Sequence, residues 1–320
     1  MKTKAYDFSS PAKQVSKVET LQKRHVKGWS EKIMQGVFFI AACASVLAVA
    51  LICIFLFANG IPAMKEIGFV KFLSGEMWRP NNDIYGILPM IVGSIYVTAG
   101  AIIVGVPVGI LTSVFMAMYC PKKIYRPLKG ATELLAGIPS VVYGFFGLVV
   151  LVPWIRELGR ALKAMGWVRS SGNGNSILTA SLLLGMMILP TIIGVTESAI
   201  RSVPSSYYEG ALALGATRER SIFRVIIPAA KSGVIAGIVL GIGRAIGETM
   251  AVIMVAGNQA RMPAGLLKGV RTLTANIVIE MGYAAELHRE ALIATGVVLF
   301  VFILVINFCV ALLNGRTNRE

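Results

Sequence analysis

Arg244 and Glu248 stand four residues apart in GIVLGIGRAIGETMA, midway along a run with few other charges. Ionised side chains in an apolar run are costly and tend to carry function. A spacing of i,i+4 puts both on one face of a continuous helix, where they can pair. Pairing lowers the burial cost of each charge. A guanidinium fork suits an oxyanion, so the pair reads as a pore-lining anion contact, with the carboxylate part-neutralising it when the site is empty. The structural alternative is a salt bridge that only holds two helices in register. Gly237 with Gly241, and Gly243 with Gly247, add GxxxG spacing that lets a neighbouring helix come close. A second candidate lies in AGIPSVVYG, where Pro139 interrupts an apolar run beside the hydroxyls of Ser140 and Tyr143. Breaks of this kind free backbone N–H groups and recur at transport sites; an ordinary packed kink is the alternative. Glu133 and Lys231 also fall in apolar runs, near ends from which their side chains can reach water.

The elements that position these residues follow from composition. The chain has 320 residues, 56% hydrophobic and 15% charged, with mean hydropathy +0.72. That is too apolar and too poor in charge for an ordinary soluble domain. Six runs of spanning length occur at about 35–58, 88–119, 130–153, 177–200, 225–256 and 291–313. Their lengths and the lack of alternating strands predict an all-α polytopic membrane protein rather than a barrel. The polar, basic stretch 1–32 is long for a signal n-region, so the first run reads as a retained anchor. The expected layout is a basic arm at 1–32, a six-helix domain at 33–313 and a short tail at 314–320. Eighteen Lys and Arg lie in the N-terminus, the second-to-third and fourth-to-fifth connections and the tail, against eleven in the other connections. That bias puts both termini in the cytoplasm. The eleven outer bases exceed the outer acids by four, which mildly favours an anion arriving from outside; ordinary solvated loop charge is the alternative. The total of +15 follows mostly from topology, and no aromatic–basic interleaving supports nucleic-acid binding. The four cysteines lie in or beside apolar runs, with neither a disulfide framework nor metal-ligand spacing, and read as buried small residues.

Residues 201–224 form a charged segment between two apolar runs. Glu209 is expected to open a short helix, Gly215 to end it, and Thr217 to cap a second one before Pro228. A helix–Gly–helix outside the bilayer fits a groove on another protein. No GxxxxGK[ST] phosphate loop, HExxH, CxxC or nucleophile elbow occurs. The chain therefore neither hydrolyses nucleotide nor performs covalent chemistry, and any energy source lies elsewhere.

On these residues the chain resembles the permease subunits of bacterial ABC importers. Their signature is EAA, three residues, G, nine residues and I-x-L-P. Here it reads Glu209-Gly210-Ala211, then Gly215, then Val225-Ile226-Ile227-Pro228. Gly210, Val225 and Ile227 depart mildly from the pattern. NDIYGILP at 82–89, ELLAGIPSVVYG at 133–144 and GRAIGETMAV at 243–252 are similar to the PstC-type permeases of high-affinity phosphate importers. The resemblance covers about 80–313. It implies a type I importer permease fold, a companion permease, two ATPase subunits that hold ATP and magnesium, a periplasmic phosphate-binding protein, and Arg244 and Glu248 as transport residues. Sulfate or molybdate is the nearest competing cargo, and an ion-coupled carrier or a membrane scaffold the competing class.

Overall fold

Helix formation in this chain is set by long apolar stretches in which each backbone group must find its partner within the segment. The structure, a computed structural model, describes residues 29–168 and 170–317. The expectations for residues 1–28 of the basic arm and for 318–320 lie outside the described residues. The chain divides into two compact units, 1–55 and 56–320. The division falls inside α1 (Trp29–Ile67). Its residues 36–52 are exposed and apolar on all sides but for Ser45, the pattern of a segment meant for an apolar medium.

The second unit continues with α2 (Phe69–Ser74) and a hairpin. In the hairpin β1 (Trp78–Arg79) pairs antiparallel with β2 (Ile84–Tyr85), Trp78 opposite Tyr85. Asp83 closes the turn in the left-handed region, φ 52°. Then follow α3 (Leu88–Val114), extended by a π-turn to Tyr119, and α4 (Lys122–Gly137). Next come α5 (Ser140–Phe146), a π-turn and α6 (Val152–Ala164). α7 (Ile177–Arg201) is capped at its start by Ser176 Oγ, which accepts from Thr179 N–H. α8 (Ser205–Ala213), α9 (Arg218–Ser221) and α10 (Ile227–Ala229) lead into α11 (Lys231–Gly247). α12 (Met250–Val255), α13 (Leu273–Glu280) and α14 (Glu286–Thr317) complete the chain.

Among the described residues five helices are long and apolar enough to cross a membrane, and six if the pair Arg218–Ala229 and Lys231–Gly247, bent by 70°, is one span. The third and fifth differ from the runs read in the sequence. Residues 130–137 belong to α4, an amphipathic helix with no buried residue. The third span is Ser140–Ala164, because Pro139 cannot continue α4 and disfavours helix at Ile138. The fifth run, 225–256, is cut twice, after Ala229 and at Glu248–Thr249. The last helix continues beyond 313 to Thr317. Glu133 and Lys231 are exposed, as their places near run ends implied. Cys43, by contrast, is exposed, and Cys53 and Cys120 are half-buried. Cys43 and Cys53 lie on α1 and Cys120 is extended just after the π-turn, positions that apolarity alone does not distinguish from a core; the side chain of Cys309 lies outside the described residues.

α7 is the centre of the second unit. It runs parallel to α3 and antiparallel to α11. A Cβ on Gly100 would stand 2.3 Å from Ser181 Oγ, and one on Gly109 2.7 Å from Ile192 Cγ2. Ser181 Oγ–H donates to Val97 O at 3.2 Å. On the other flank Gly237 and Gly241 face Thr196, Ile192 and Ile188, so the first GxxxG pair is a helix contact. Gly243 and Gly247 have nothing within 4 Å, and the second pair is not. The buried core collects Val97, Leu183, Met187, Ile188 and Ile192 with Tyr143, Ala245 and Ala251. A separate cluster packs Phe72, Trp78, Tyr85 and Met90 against Leu292 and Val297 of α14.

At Gly105 an added Cβ would meet Ile188 Cδ1 at 2.7 Å and the backbone oxygen of Gly185 at 2.8 Å. Backbone cannot give way as a flexible side chain does. Gly105→Leu is expected to cost at least about 1–3 kcal/mol by overpacking. The measurement is the melting temperature of the detergent-solubilised protein, which should fall; an unchanged value would show that α3 and α7 are not held in this contact.

Candidate functional site

Two interrupted helices meet beside α7. In the first, α4 ends at Gly137, Ile138 and Pro139 are extended, and α5 starts at Ser140. The Tyr143 hydroxyl donates to Leu135 O at 2.8 Å, tying the two pieces across the break. In the second, α11 ends at Gly247, Glu248 is extended (φ −69°, ψ 130°), and α12 starts at Met250. Glu248 Oε1 accepts from Ala251 N–H at 3.2 Å, and its backbone oxygen accepts from Thr274 Oγ1–H at 3.1 Å. The breaks are packed together. A Cβ on Gly144 would lie 3.0 Å from Ala251 Cα and 2.6 Å from Met254 Sδ, and Tyr143 shares a buried cluster with Ala245, the neighbour of Arg244, and Ala251.

This geometry overturns the expected pairing of Arg244 with Glu248. The i,i+4 relation holds only within one helix, and the helix stops between them. Glu248 instead caps the first turn of α12, where a negative charge suits the helix dipole. Arg244 Nη1–H donates to Thr191 Oγ1 at 3.3 Å. Neither residue belongs to an ion pair among the described residues. A guanidinium has five N–H donors, so the bond to Thr191 leaves most of those of Arg244 without a hydrogen-bond partner among the described residues. The structure thus gathers Arg244, Glu248 and Tyr143 at the paired breaks. Ser140 is half-buried at the start of α5, three residues from Tyr143.

The 201–228 segment is the second candidate surface. α8 begins at Ser205, after Pro204, so Glu209 lies within that helix rather than opening it. Leu214 follows, 91% exposed, then Gly215 at φ +83° with open space around it. A left-handed residue there reverses the chain, and glycine adopts that region without penalty. Thr217 Oγ1 accepts from Arg220 N–H at 3.3 Å and starts α9. Tyr207, Gly210, Ala211, Leu214 and Ala216 line an open groove of about 560 Å³ with Arg220 and Arg224 beside it. Pro228 lies in α10, just before the bend. The segment is tied to the end of α3, where Arg218 Nη2–H donates to Met118 O at 2.6 Å and its guanidinium lies 4.7 Å from the Tyr119 ring centre.

Two buried carboxylates complete the polar architecture. Glu197 is 2% exposed. It accepts from Tyr125 Oη–H and from Arg201 Nε–H, each at 2.6 Å, with Lys129 Nζ at 3.5 Å. The Glu197/Arg201 spacing was visible in the sequence; the partnership with Tyr125, 72 residues away, was not. Glu280 accepts from Arg271 Nη1–H at 2.5 Å and Trp78 Nε1–H at 2.7 Å, and has His288 Nε2 at 2.9 Å. It joins the hairpin to α13 and α14. Its sequence signal was faint, a single acid ending the apolar helix LTANIVIE. Beside it burial, helped by Asp83, pushes the Tyr85 hydroxyl up to about 12. No cluster that could hold a metal ion occurs among the described residues.

The family model described as "Binding-protein-dependent transport system inner membrane component" matches residues 105–319. A probable ABC transporter permease protein of Bacillus subtilis, YqgH, is 38% identical over 287 residues, covering 86% of this chain and 90% of that protein. The phosphate transport system permease protein PstC of Mesorhizobium japonicum is 37% identical over 260 residues, covering 78% and 79% respectively. That of Pasteurella multocida is 33% identical over 267 residues, covering 81% and 83%. Among solved structures, a chain of a bacterial alginate ABC transporter in complex with an alginate-bound periplasmic protein aligns with TM-score 0.59 at 18% identity, covering 89% of this chain and 96% of that one. A chain of the inward-facing MetNI methionine ABC transporter aligns with TM-score 0.55 at 17% identity, covering 75% and 99%.

Glu280→Ala would leave Arg271, whose side chain is 15% exposed, without its carboxylate. Removing one member of a buried ion pair costs about 3–5 kcal/mol. Thermal unfolding in detergent should show this loss, and a shift no larger than that of an exposed acid such as Glu157 would disprove the structural weight given to Glu280.

Proposed function

The chain belongs to the binding-protein-dependent transport system inner membrane component family, and from that premise we propose that it forms half of the pore of an ATP-driven phosphate importer. It is a multi-pass membrane protein and the permease subunit of an ABC importer. Its relatives are permease subunits rather than enzymes, with ATP hydrolysis on a separate protein. The finer reading assigns it a companion permease, two ATPase subunits carrying ATP and magnesium, and a phosphate-binding protein outside the membrane. Phosphate as cargo is supported by the relatives named as phosphate permeases and by the outer excess of basic residues.

The observation that carries this reading is the guanidinium of Arg244, without a carboxylate partner among the described residues, at the junction of two broken helices. An ion pair would have to be broken before an anion could bind; a guanidinium held only by a threonine is ready. Arg244 is the phosphate contact. Glu248 has a different task from the one its spacing implied: it caps α12 and so holds the break open. Tyr143 braces the opposite break, and Ser140 offers a hydroxyl near it. Both termini lie in the cytoplasm, as the distribution of Lys and Arg supports.

Energy enters at the 201–224 loop. Glu209, Gly210, Ala211, Gly215 and Pro228 match the spacing of an ATPase-docking signature. Leu214 is the apolar knob that the turn at Gly215 presents. ATP binding closes the ATPase pair and moves the loop. The movement switches access to the broken helices between the two sides of the membrane.

Arg244→Gln should lower radiolabelled phosphate uptake by about ten- to a hundredfold, the weight of one or two charge-assisted hydrogen bonds, with the assembled complex still recovered. Normal uptake would remove Arg244 from the pore. At the docking surface, Gly215→Phe forces a bulky residue into a left-handed conformation that costs roughly 1–2 kcal/mol and turns the Leu214 knob away. The ATPase should then be lost from washed membranes; full retention would count against docking through this loop.

A further inference from the structure

We propose that Glu197, held by Tyr125 and Arg201, is the positioning residue through which movement of the 201–224 loop reaches the helix break at Ile138–Pro139. The proposal rests on the ATP-driven importer reading and extends it to the route between the docking surface and the pore.

The route is visible in how α4 is attached. No residue of α4 is buried, so no apolar core fixes this helix. Among the described residues its side-chain hydrogen bonds and ion pairs to other elements come from Tyr125 and Lys129, and both end on Glu197. At its other end the Leu135 carbonyl accepts from Tyr143, across the break. α4 is therefore a rod of 16 residues, about 24 Å long, held by polar contacts near its first turn and at its last. One attachment is the Glu197 node. The other is the interrupted helix packed against α12 and Glu248.

The node also has an input. Arg201 is the last residue of α7, and α8 begins four residues later at Ser205. Its Nε–H donates to Glu197, its Nη2–H donates to Met116 O at 2.9 Å, and its guanidinium lies 4.3 Å from the Tyr125 ring centre. Along the backbone a displacement of α8 reaches Arg201 first, while Tyr208 of α8 packs in one apolar cluster with Ile200 and Ala199 of α7. The carboxylate between Arg201 and Tyr125 passes that displacement to α4. A buried ion pair adds little net stability compared with apolar packing. Its gain is directional: the hydrogen bonds fix one relative setting of two helices, and a slip breaks them together.

The test uses the whole complex, with companion permease, ATPase subunits and binding protein, reconstituted in liposomes. Phosphate uptake and ATP hydrolysis are measured on the same preparation. Tyr125→Phe removes the hydroxyl and keeps the ring under Arg201; Glu197→Gln removes the charge. For both variants the ATPase should co-purify in unchanged ratio and still be stimulated by the loaded binding protein. Phosphate moved per ATP should fall about fivefold or more, the effect of losing roughly 1 kcal/mol of coupling. A ratio equal to that of the unmodified complex overturns the proposal, including the case in which hydrolysis and uptake decline together. If Glu197→Gln fails to assemble, Tyr125→Phe decides alone, since loss of one hydroxyl leaves the buried charge paired with Arg201. Failure of the unmodified complex to couple uptake to ATP is a separate result: it overturns the importer reading, and this proposal with it.

Discussion

Close approach of helices at glycine is the constraint on which the rest of this molecule depends. α7 is covered on one side by α3, through Gly100, Gly105 and Gly109, and on another by α11, through Gly237 and Gly241. Where an aqueous protein gains most of its helix packing from water exclusion, helices among lipid associate through van der Waals contact and interhelical hydrogen bonds. Each missing side chain brings two backbones close enough for those short-range forces to act. Ser181 and Ser113 add hydroxyl bonds to neighbouring carbonyls along the same seam.

A tightly packed three-helix centre permits irregular backbone beside it. The breaks at Ile138–Pro139 and Glu248–Thr249 leave peptide groups that would be expensive against lipid, and non-helical backbone at that depth is tolerated only against protein or a water-filled cavity. Both are stabilised locally, one by the Tyr143 hydroxyl and the other by Glu248 and Thr274. The same local accounting separates Arg244 from Glu248. With Glu248 committed to the α12 N-terminus, the guanidinium keeps Thr191 as its hydrogen-bond partner among the described residues, which suits the phosphate contact proposed for it. A permanent Arg–Glu pair would make anion entry compete with a neighbouring carboxylate.

Charge that is fully committed behaves differently. Glu197 and Glu280 each sit among several donors, so they fix relative positions of elements rather than bind cargo. Glu280 ties the hairpin, α13 and α14. Glu197 ties α4 and the end of α7, next to the segment that presents Leu214. The chain thus separates rigid polar joints from an arginine at a helix break that has no carboxylate partner among the described residues, and the proposed transport cycle uses both: joints to carry movement, the arginine to hold phosphate.

Much of this was legible in the residues alone. Apolar run length predicted a helical membrane protein, because the bilayer imposes a length that a single segment must satisfy. The turn at Gly215 and the cap at Thr217 were readable because both are decided within a few residues. The matched spacing from Glu209 to Pro228 carried the resemblance to importer permeases, which no local geometry would have supplied. Tertiary structure decided what depends on distant partners. It moved the third span past Pro139, since an amphipathic helix beside an apolar one looks continuous in hydropathy. It put Glu209 inside α8, and it separated Arg244 from Glu248 because a four-residue spacing does not say whether the helix continues. It gave Glu197 a tyrosine from another helix and Glu280 a tryptophan 202 positions away. Local geometry is written in neighbouring residues; the partner of a buried charge is set by which helices pack, and that is known only once the chain has folded.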